Sequence, residues 1–213
     1  MVDFNFVPNV TNQAAMAKYM LNQFPFAGLK TPERKLQSRL LLLSSRGWSV
    51  PTVIQTVNDL YARDEREYQY LAIDLARKHA RQYELADLVA LGPLVMRKSW
   101  WDSVDAWRPL FGDYVRLYPQ TLADVFGIFA EHDNFWMRRV AITLQLASKD
   151  ATDTALLTRA IEYDIDTDEF FIQKAVGWAL RQYSKTDSAW VRQFMTDHSQ
   201  LSTLAVREGS KYL

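Results

Sequence analysis

Helical periodicity along nearly the whole chain is the feature that most limits its fold. Apolar side chains recur at helix period between the few interruptions that 7 glycines and 7 prolines provide in 213 residues. No convincing run shows the alternation of a half-buried strand. We therefore predict an all-α protein of about a dozen helices, paired into hairpins of roughly 35 residues each. Such hairpins stack into a curved α-solenoid with one concave face, here a single domain over residues 1–213 with an irregular segment over 1–11.

Terminal residues and apolar periodicity place the individual helices. Thr31 as the N-cap and Pro32 at the first helical position predict a helix start, and Asp64 with Glu67 predicts a capping box. Pro109 and Gly112 separate a Trp-rich helix from a short helix that ends at Tyr118. Asp133 or Asn134 is predicted to cap the helix that begins at 135, and Thr152 or Asp153 the helix that ends at Tyr163. The predicted helices are 12–24, 31–46, 51–62, 65–80, 83–96 with a break around Gly92 and Pro93, 99–108, 112–118, 119–130, 135–149, 153–163, 169–184, 187–197 and one from about 201.

Composition excludes several classes of protein. The absence of cysteine excludes disulfides and thiolate sites, and no run of residues has the length of a membrane span. Without a secretory signal the expected location is the cytoplasm, and a solenoid that buries its own core is expected to be a monomer. The 25 basic residues equal the 25 acidic ones, so any basic surface depends on uneven distribution.

No metal or cofactor is expected. The three histidines, His79, His132 and His198, lack ligand spacing, and the chain has neither a glycine-rich phosphate loop nor a Gly-x-Ser-x-Gly motif. Aspartates at 164, 166 and 168 are spaced as in a calcium loop, but Glu169 replaces the glycine that such a loop requires.

The segment from Ser99 to Arg108 contains the strongest candidate for chemistry. Trp101, Asp105 and Arg108 follow helical spacing and share one stripe, while Trp100, Val104 and Trp107 form an apolar stripe beside it. An indole face attracts cations, and a neighbouring carboxylate stabilises developing positive charge. The alternative is a half-buried Trp101 beside a surface pair of Asp105 and Arg108.

Basic side chains recur on other predicted helices. Helix 169–184 aligns three cations and one indole: Lys174, Trp178, Arg181 and Lys185. On helix 135–149, four side chains are predicted to form a line that faces solvent, with Arg139 beside it: Arg138, Ile142, Gln145 and Lys149. Helix 65–80 has a similar line: Arg66, Tyr70, Ile73 and Arg77. Each line alone is typical of a solvated face, but their recurrence predicts a concave basic groove for phosphates.

Several motifs resemble the AlkD-type DNA alkylation-repair glycosylases, which are HEAT-like helical-repeat proteins. The resemblance covers nearly the whole chain from about residue 14. Its motifs are Met-Ala-Lys-Tyr-Met (16–20), Phe-Ala-Gly-Leu-Lys-Thr-Pro-Glu-Arg (26–34), Lys-Ser-Trp-Trp-Asp-Ser-Val-Asp (98–105), Asp-Asn-Phe-Trp-Met-Arg-Arg (133–139) and Glu-Phe-Phe-Ile-Gln-Lys-Ala-Val-Gly-Trp-Ala-Leu-Arg (169–181). A C-terminal match follows at Leu-Ser (201–202) and Arg-Glu (207–208). It implies about six HEAT-like hairpins. Two features depart from the family pattern: a short N-terminal segment with Pro8, and Ala147 where the family can carry lysine.

The resemblance also implies roles for residues. Trp101, Asp105 and Trp178 would form the active-site cleft, Arg139 and Arg181 would hold the phosphate backbone, and Tyr19 would lie at the DNA-facing edge. We add Lys174, Arg138 and Lys185 to the DNA-binding set from the basic lines. The family removes cationic purines alkylated at N3 or N7; such a base leaves readily, so one carboxylate can stabilise the oxocarbenium-like sugar and position water.

Three functions follow as hypotheses. The first is a monofunctional glycosylase of base excision repair that acts on alkylated purines in duplex DNA. The second is a non-excising relative that binds damaged or branched DNA, and the third is a protein-interaction solenoid. The sequence leaves open which alkylated bases are accepted and whether the base is flipped.

Overall fold

The computed structural model describes residues 4–213, which form twelve α-helices and six short 3₁₀ helices without a strand. The predicted all-α class is confirmed, and helices pack on near neighbours in sequence, as expected for helical repeats. None of the described helices is long and apolar enough to cross a membrane. The α-helices are α1 (Val10–Tyr19), α2 (Thr31–Ser44), α3 (Val50–Tyr61), α4 (Arg66–Lys78), α5 (Leu85–Leu91), α6 (Trp101–Leu117), α7 (Leu122–Phe129), α8 (Phe135–Thr143), α9 (Thr154–Tyr163), α10 (Phe170–Tyr183), α11 (Ser188–Asp197) and α12 (Thr203–Gly209).

The chain divides into two compact units, with the boundary in the sequence between Asp87 and Leu88. The single domain over 1–213 stays a prediction. Of the predicted irregular segment 1–11, residues 1–3 lie outside the described residues, residues 4–9 have no helix or strand, and α1 begins at Val10.

In the first unit, α3 and α4 pack against each other, because each directs a stripe of apolar side chains toward the other. The side chains of Val53, Val57, Leu71 and Leu75 are fully buried. The outward line predicted on helix 65–80, which corresponds to α4, is wrong at two positions, since Arg66 and Ile73 are buried. The Arg66 guanidinium lies 3.9 Å from the centroid of the Phe24 ring.

The capping box predicted for Asp64 and Glu67 is wrong. Glu67 instead accepts hydrogen bonds from a turn that lies far from it in the sequence. Its buried carboxylate accepts hydrogen bonds from the backbone N–H groups of Ala27, Gly28 and Leu29, at 2.8 to 2.9 Å. Gly28 has a φ of 86°, and a Cβ there would lie 2.0 Å from the carbonyl oxygen of Asn9. Only glycine fits this turn, and Glu67 satisfies its buried donors.

Three predicted helix boundaries are wrong. Helix α1 ends at Tyr19, because Leu21 and Asn22 adopt positive φ values and close the turn. Thr31 is the first residue of α2, and Lys30 occupies the N-cap position. Helix α8 ends at Thr143, six residues before the predicted end.

The second unit contains α6, the longest helix at 17 residues, which continues through Pro109. The predicted break at Pro109 is therefore wrong. Proline lacks the N–H that would bond the carbonyl of Asp105 and normally interrupts a helix. Tertiary packing compensates, since Val104, Trp107, Leu110 and Phe111 on α6 are buried.

Side-chain caps fix the starts of three helices of the second unit, α8, α9 and α10. Asn134 accepts a hydrogen bond from the N–H of Trp136, Asp153 from that of Leu156, and Glu169 from that of Phe171. These caps agree with the sequence, which placed helix starts at the same three positions. Helix α8 lies against four others, namely α6, α7, α9 and α10.

Candidate active site

Asp105 and Arg139 form the central pair of the candidate site. Arg139 on α8 donates from Nε to Oδ1 of Asp105 and from Nη2 to Oδ2, both at 2.9 Å. This two-pronged geometry matches the fork of a guanidinium to the two oxygens of a carboxylate. Helix α6 therefore presents Asp105 in one fixed orientation.

The buried guanidinium of Arg139 interacts with other groups of the protein on α6 and α10. Only 2% of its side chain is exposed, against 27% for Asp105. Its Nη1 donates to the backbone carbonyl of Phe171, and its Cζ lies 4.9 Å from the centroid of the Trp178 ring. The guanidinium thus joins α6 and α8 to α10, beneath one face of an indole.

The Asp105 carboxylate keeps capacity for further partners. Each carboxylate oxygen has two lone pairs, and Arg139 uses one on each. With about a quarter of the side chain exposed, the remaining lone pairs can accept a proton from water or face a positively charged sugar. Sequence reasoning found Asp105, Trp178 and Arg139, and the structure brings these three together.

Trp101 and Trp100 occupy different environments. Trp101 is the first residue of α6 and is half-buried, one turn before Asp105. Trp100 precedes the helix and packs against other rings, 6.0 Å from Trp136 and 5.3 Å from Phe171 between centroids. These aromatic contacts fix the start of α6, which determines where Trp101 and Asp105 lie.

Two cations of α10 meet the carboxylate of Glu208 on α12. The Nζ of Lys174 lies 3.1 Å from Oε1 of Glu208, and Nη1 of Arg181 lies 3.4 Å from Oε2. Lys211 adds a third cation at 2.7 Å from Oε2. Hydrogen bonds from Lys211 and Lys174 lower the pKa of Glu208 to about 2. Sequence reasoning assigned no role to Glu208, because Lys174 and Arg181 lie on α10, about 30 residues earlier in the chain.

The remaining basic candidates also have partners. Arg138 bonds both oxygens of Asp164 from Nε, at 2.9 and 3.0 Å, and the carbonyl of His132 from Nη1 at 2.7 Å. Lys185 lies 4.8 Å from the centroid of the Tyr212 ring. Asp164, which has the spacing of a calcium-loop residue, thus serves as an ion-pair partner.

The outward line predicted on helix 135–149 is wrong. Ile142 and Gln145 are buried, and Gln145 exchanges hydrogen bonds with the backbone of Asp153. Ile142 is buried because α8 has four neighbouring helices and little surface left for solvent, whereas Gln145 lies beyond the end of α8, where it bonds the Asp153 backbone.

Tyr19 belongs to the first unit. It ends α1, and 72% of the residue is exposed. It lines an open cavity of about 520 Å³ with Phe26, Arg34 and Tyr70. Its predicted place at a DNA-facing edge stays a prediction.

Comparison with known proteins identifies the family. The model of the DNA alkylation repair enzyme family matches residues 3–213. A solved structure described as a predicted DNA alkylation repair enzyme from Enterococcus faecalis is 48% identical, with a TM-score of 0.96 over 99% of this chain and 98% of that chain. No curated protein matches. The chain therefore belongs to the DNA alkylation repair enzyme family, which gives it a role in DNA repair.

Proposed function

We propose that this protein is a monofunctional DNA glycosylase that hydrolyses the N-glycosidic bond of cationic N3- or N7-alkylated purines in duplex DNA. The observation that carries the proposal is the Asp105 carboxylate, which is held by a buried arginine, remains partly exposed, and shares that arginine with Trp178. An ion pair that only stabilises the fold does not require its carboxylate to be exposed beside an indole ring.

The reaction needs little beyond this carboxylate. Alkylation makes the purine cationic, so it leaves as a neutral base when the bond from C1′ to the base breaks, and no general acid is needed. The electron pair of that bond goes to the base and leaves an oxocarbenium-like sugar. Asp105 stabilises this cation and orients the water whose oxygen bonds to C1′; the released proton passes through the carboxylate to solvent.

The two half-buried indoles hold the damaged nucleotide in this proposal. Trp101 and Trp178 offer faces and edges that attract a cation. Lys174 and Arg181, on the same helix as Trp178, bind backbone phosphates, with Arg138, Lys185 and Tyr19 as further contacts. The partner is therefore duplex DNA that contains alkylated purines.

A direct test is the release of 7-methylguanine from a methylated duplex by the natural protein and by Asp105→Asn. We expect the variant to lose at least about 10²-fold in rate, because it removes the charge at the reacting sugar. Asp113→Asn is the matched control on the same helix, since Asp113 lies two turns after Asp105 and pairs with Arg116 at the surface, at 2.6 Å. Binding of the duplex is measured alongside.

A non-excising DNA-binding relative is the second candidate. The observation that favours it is that both oxygens of Asp105 already accept hydrogen bonds from Arg139. The same assay separates the two: a natural protein that binds the methylated duplex and releases no base supports the second candidate. A protein that neither binds nor releases points to the protein-interaction solenoid.

A further inference from the structure

The contact between α10 and α12 is unusually close, and two glycines permit it. A Cβ on Gly177 would lie 2.5 Å from Cβ of Glu208, and one on Gly209 would lie 3.1 Å from Cβ of Leu180. Side chains at either position would push the helices apart. The backbone therefore places the Glu208 carboxylate directly against the basic stripe of α10.

The cluster around Glu208 has an excess of positive charge. Three cations, Lys174, Arg181 and Lys211, surround one carboxylate, which leaves a net charge of +2. Their side chains are 25%, 31% and 46% exposed, whereas that of Glu208 is 9% exposed. An anion arriving from solvent would thus meet the cations first, while the carboxylate lies beneath them.

We propose that Glu208 is a positioning residue and internal countercharge that holds Lys174, Arg181 and Lys211 together and limits their affinity for DNA phosphates. This inference rests on the proposed function, in which Lys174 and Arg181 bind the backbone. In free protein the carboxylate orders three long side chains that would otherwise be mobile. In the complex it competes with phosphate for the same N–H donors, so it weakens binding of damaged and undamaged duplex alike.

Glu208→Gln separates charge from shape. The amide oxygen can still accept a hydrogen bond from lysine, but the cluster rises from +2 to +3. We expect tighter binding to undamaged duplex and a steeper dependence on salt, by up to about one unit of log Kd against log salt. When the salt concentration is lowered fourfold, the affinity of the variant for duplex should rise by about threefold more than that of the natural protein. The ratio of the affinities for damaged and undamaged duplex should stay unchanged.

Two further variants keep the test decisive. Glu208→Asp retains the charge and should keep the natural salt slope, whereas a purely structural role would affect both variants in the same way. Glu131→Gln removes an equal charge elsewhere in the second unit, from the exposed pair with Arg159, and should leave the slope unchanged.

Each outcome has a distinct meaning. A natural protein that binds duplex while Glu208→Gln binds no more tightly and has the same salt slope overturns the countercharge role. Equal increases in Glu208→Gln and Glu131→Gln also overturn it, because the effect would then belong to total charge. A natural protein that binds no duplex at any salt concentration removes the proposed function itself.

Discussion

A guanidinium with 2% of its side chain exposed needs partners within the protein, and Arg139 has three. The Asp105 carboxylate, the Phe171 carbonyl and the Trp178 ring leave little of it for a ligand. The resemblance to the family implies a phosphate contact for Arg139. The described contacts favour another role, in which Arg139 acts on the reaction by orienting Asp105.

Arg139→Lys distinguishes these roles. Lysine keeps the charge but lacks the planar fork, so it cannot hold both oxygens of Asp105. We expect the rate of base release to fall by about 10- to 100-fold, because Asp105 loses its fixed orientation. Affinity for duplex and its salt slope should stay near those of the natural protein. Single-turnover kinetics and binding isotherms measure the two quantities separately.

The same substitution tests stability. Loss of the two-pronged pair and of the donor to Phe171 should lower the free energy of unfolding by about 2 kcal/mol, since Asp105 can rehydrate through its exposed edge. A uniform loss of DNA affinity with a shallower salt slope and an intact single-turnover rate would instead assign Arg139 to the phosphates.

At the scale of elements, Glu67 fixes a turn that lies about 40 residues earlier in the chain. Its carboxylate serves three buried N–H groups, at Ala27, Gly28 and Leu29. A carboxamide offers one oxygen and turns an NH₂ group toward donors. We therefore expect Glu67→Gln to lower the free energy of unfolding by about 3 kcal/mol. Urea unfolding followed by circular dichroism measures the change.

Glu65→Gln is the control for this substitution. Glu65 occupies the N-cap of the same helix without a side-chain cap, so its neutralisation should change stability by less than about 0.5 kcal/mol. Similar losses in both variants would mean that total charge, and not the bonds to the turn, determines the stability of this unit.

Sequence reasoning succeeded for local features and failed where distant segments decide. Periodicity predicted the helices, and the observed caps, Asn134 and Asp153, are each one of the two candidates that the sequence offers beside its helix start. The boundary at Pro109 was wrong, because burial of α6 outweighs the lost helical bond. Nothing local in a sequence signals that outcome.

The candidate site shows the same limit. Helical spacing found Asp105 on one stripe with an indole, and Trp178 in line with three cations. It could not pair Asp105 with Arg139, which lies 34 residues later, because no short-range pattern encodes contacts between helices. Glu208 was missed for the same reason, since Lys174 and Arg181 become its partners only after α12 packs on α10.

At the scale of the whole molecule, the balance of charge restricts how DNA can be bound. The first unit has 11 basic and 9 acidic residues, and the second, which holds Asp105, has 14 and 16. Neither unit attracts DNA strongly through its total charge. Phosphate binding therefore depends on a few clustered cations, and the salt slope of binding should be shallow.

Arg181→Ala tests this dependence on a local cluster. If Arg181 binds one phosphate, its loss should weaken binding to all duplexes about equally and lower the salt slope by about one. Arg159→Ala is the control, because Arg159 is also a cation of the second unit, is 57% exposed, and pairs with Glu131 instead of Glu208. Titrations of one undamaged duplex over a range of salt concentrations give both slopes. A slope that falls equally in both variants would assign binding to diffuse charge, and an unchanged slope in Arg181→Ala would remove Arg181 from the phosphate contacts.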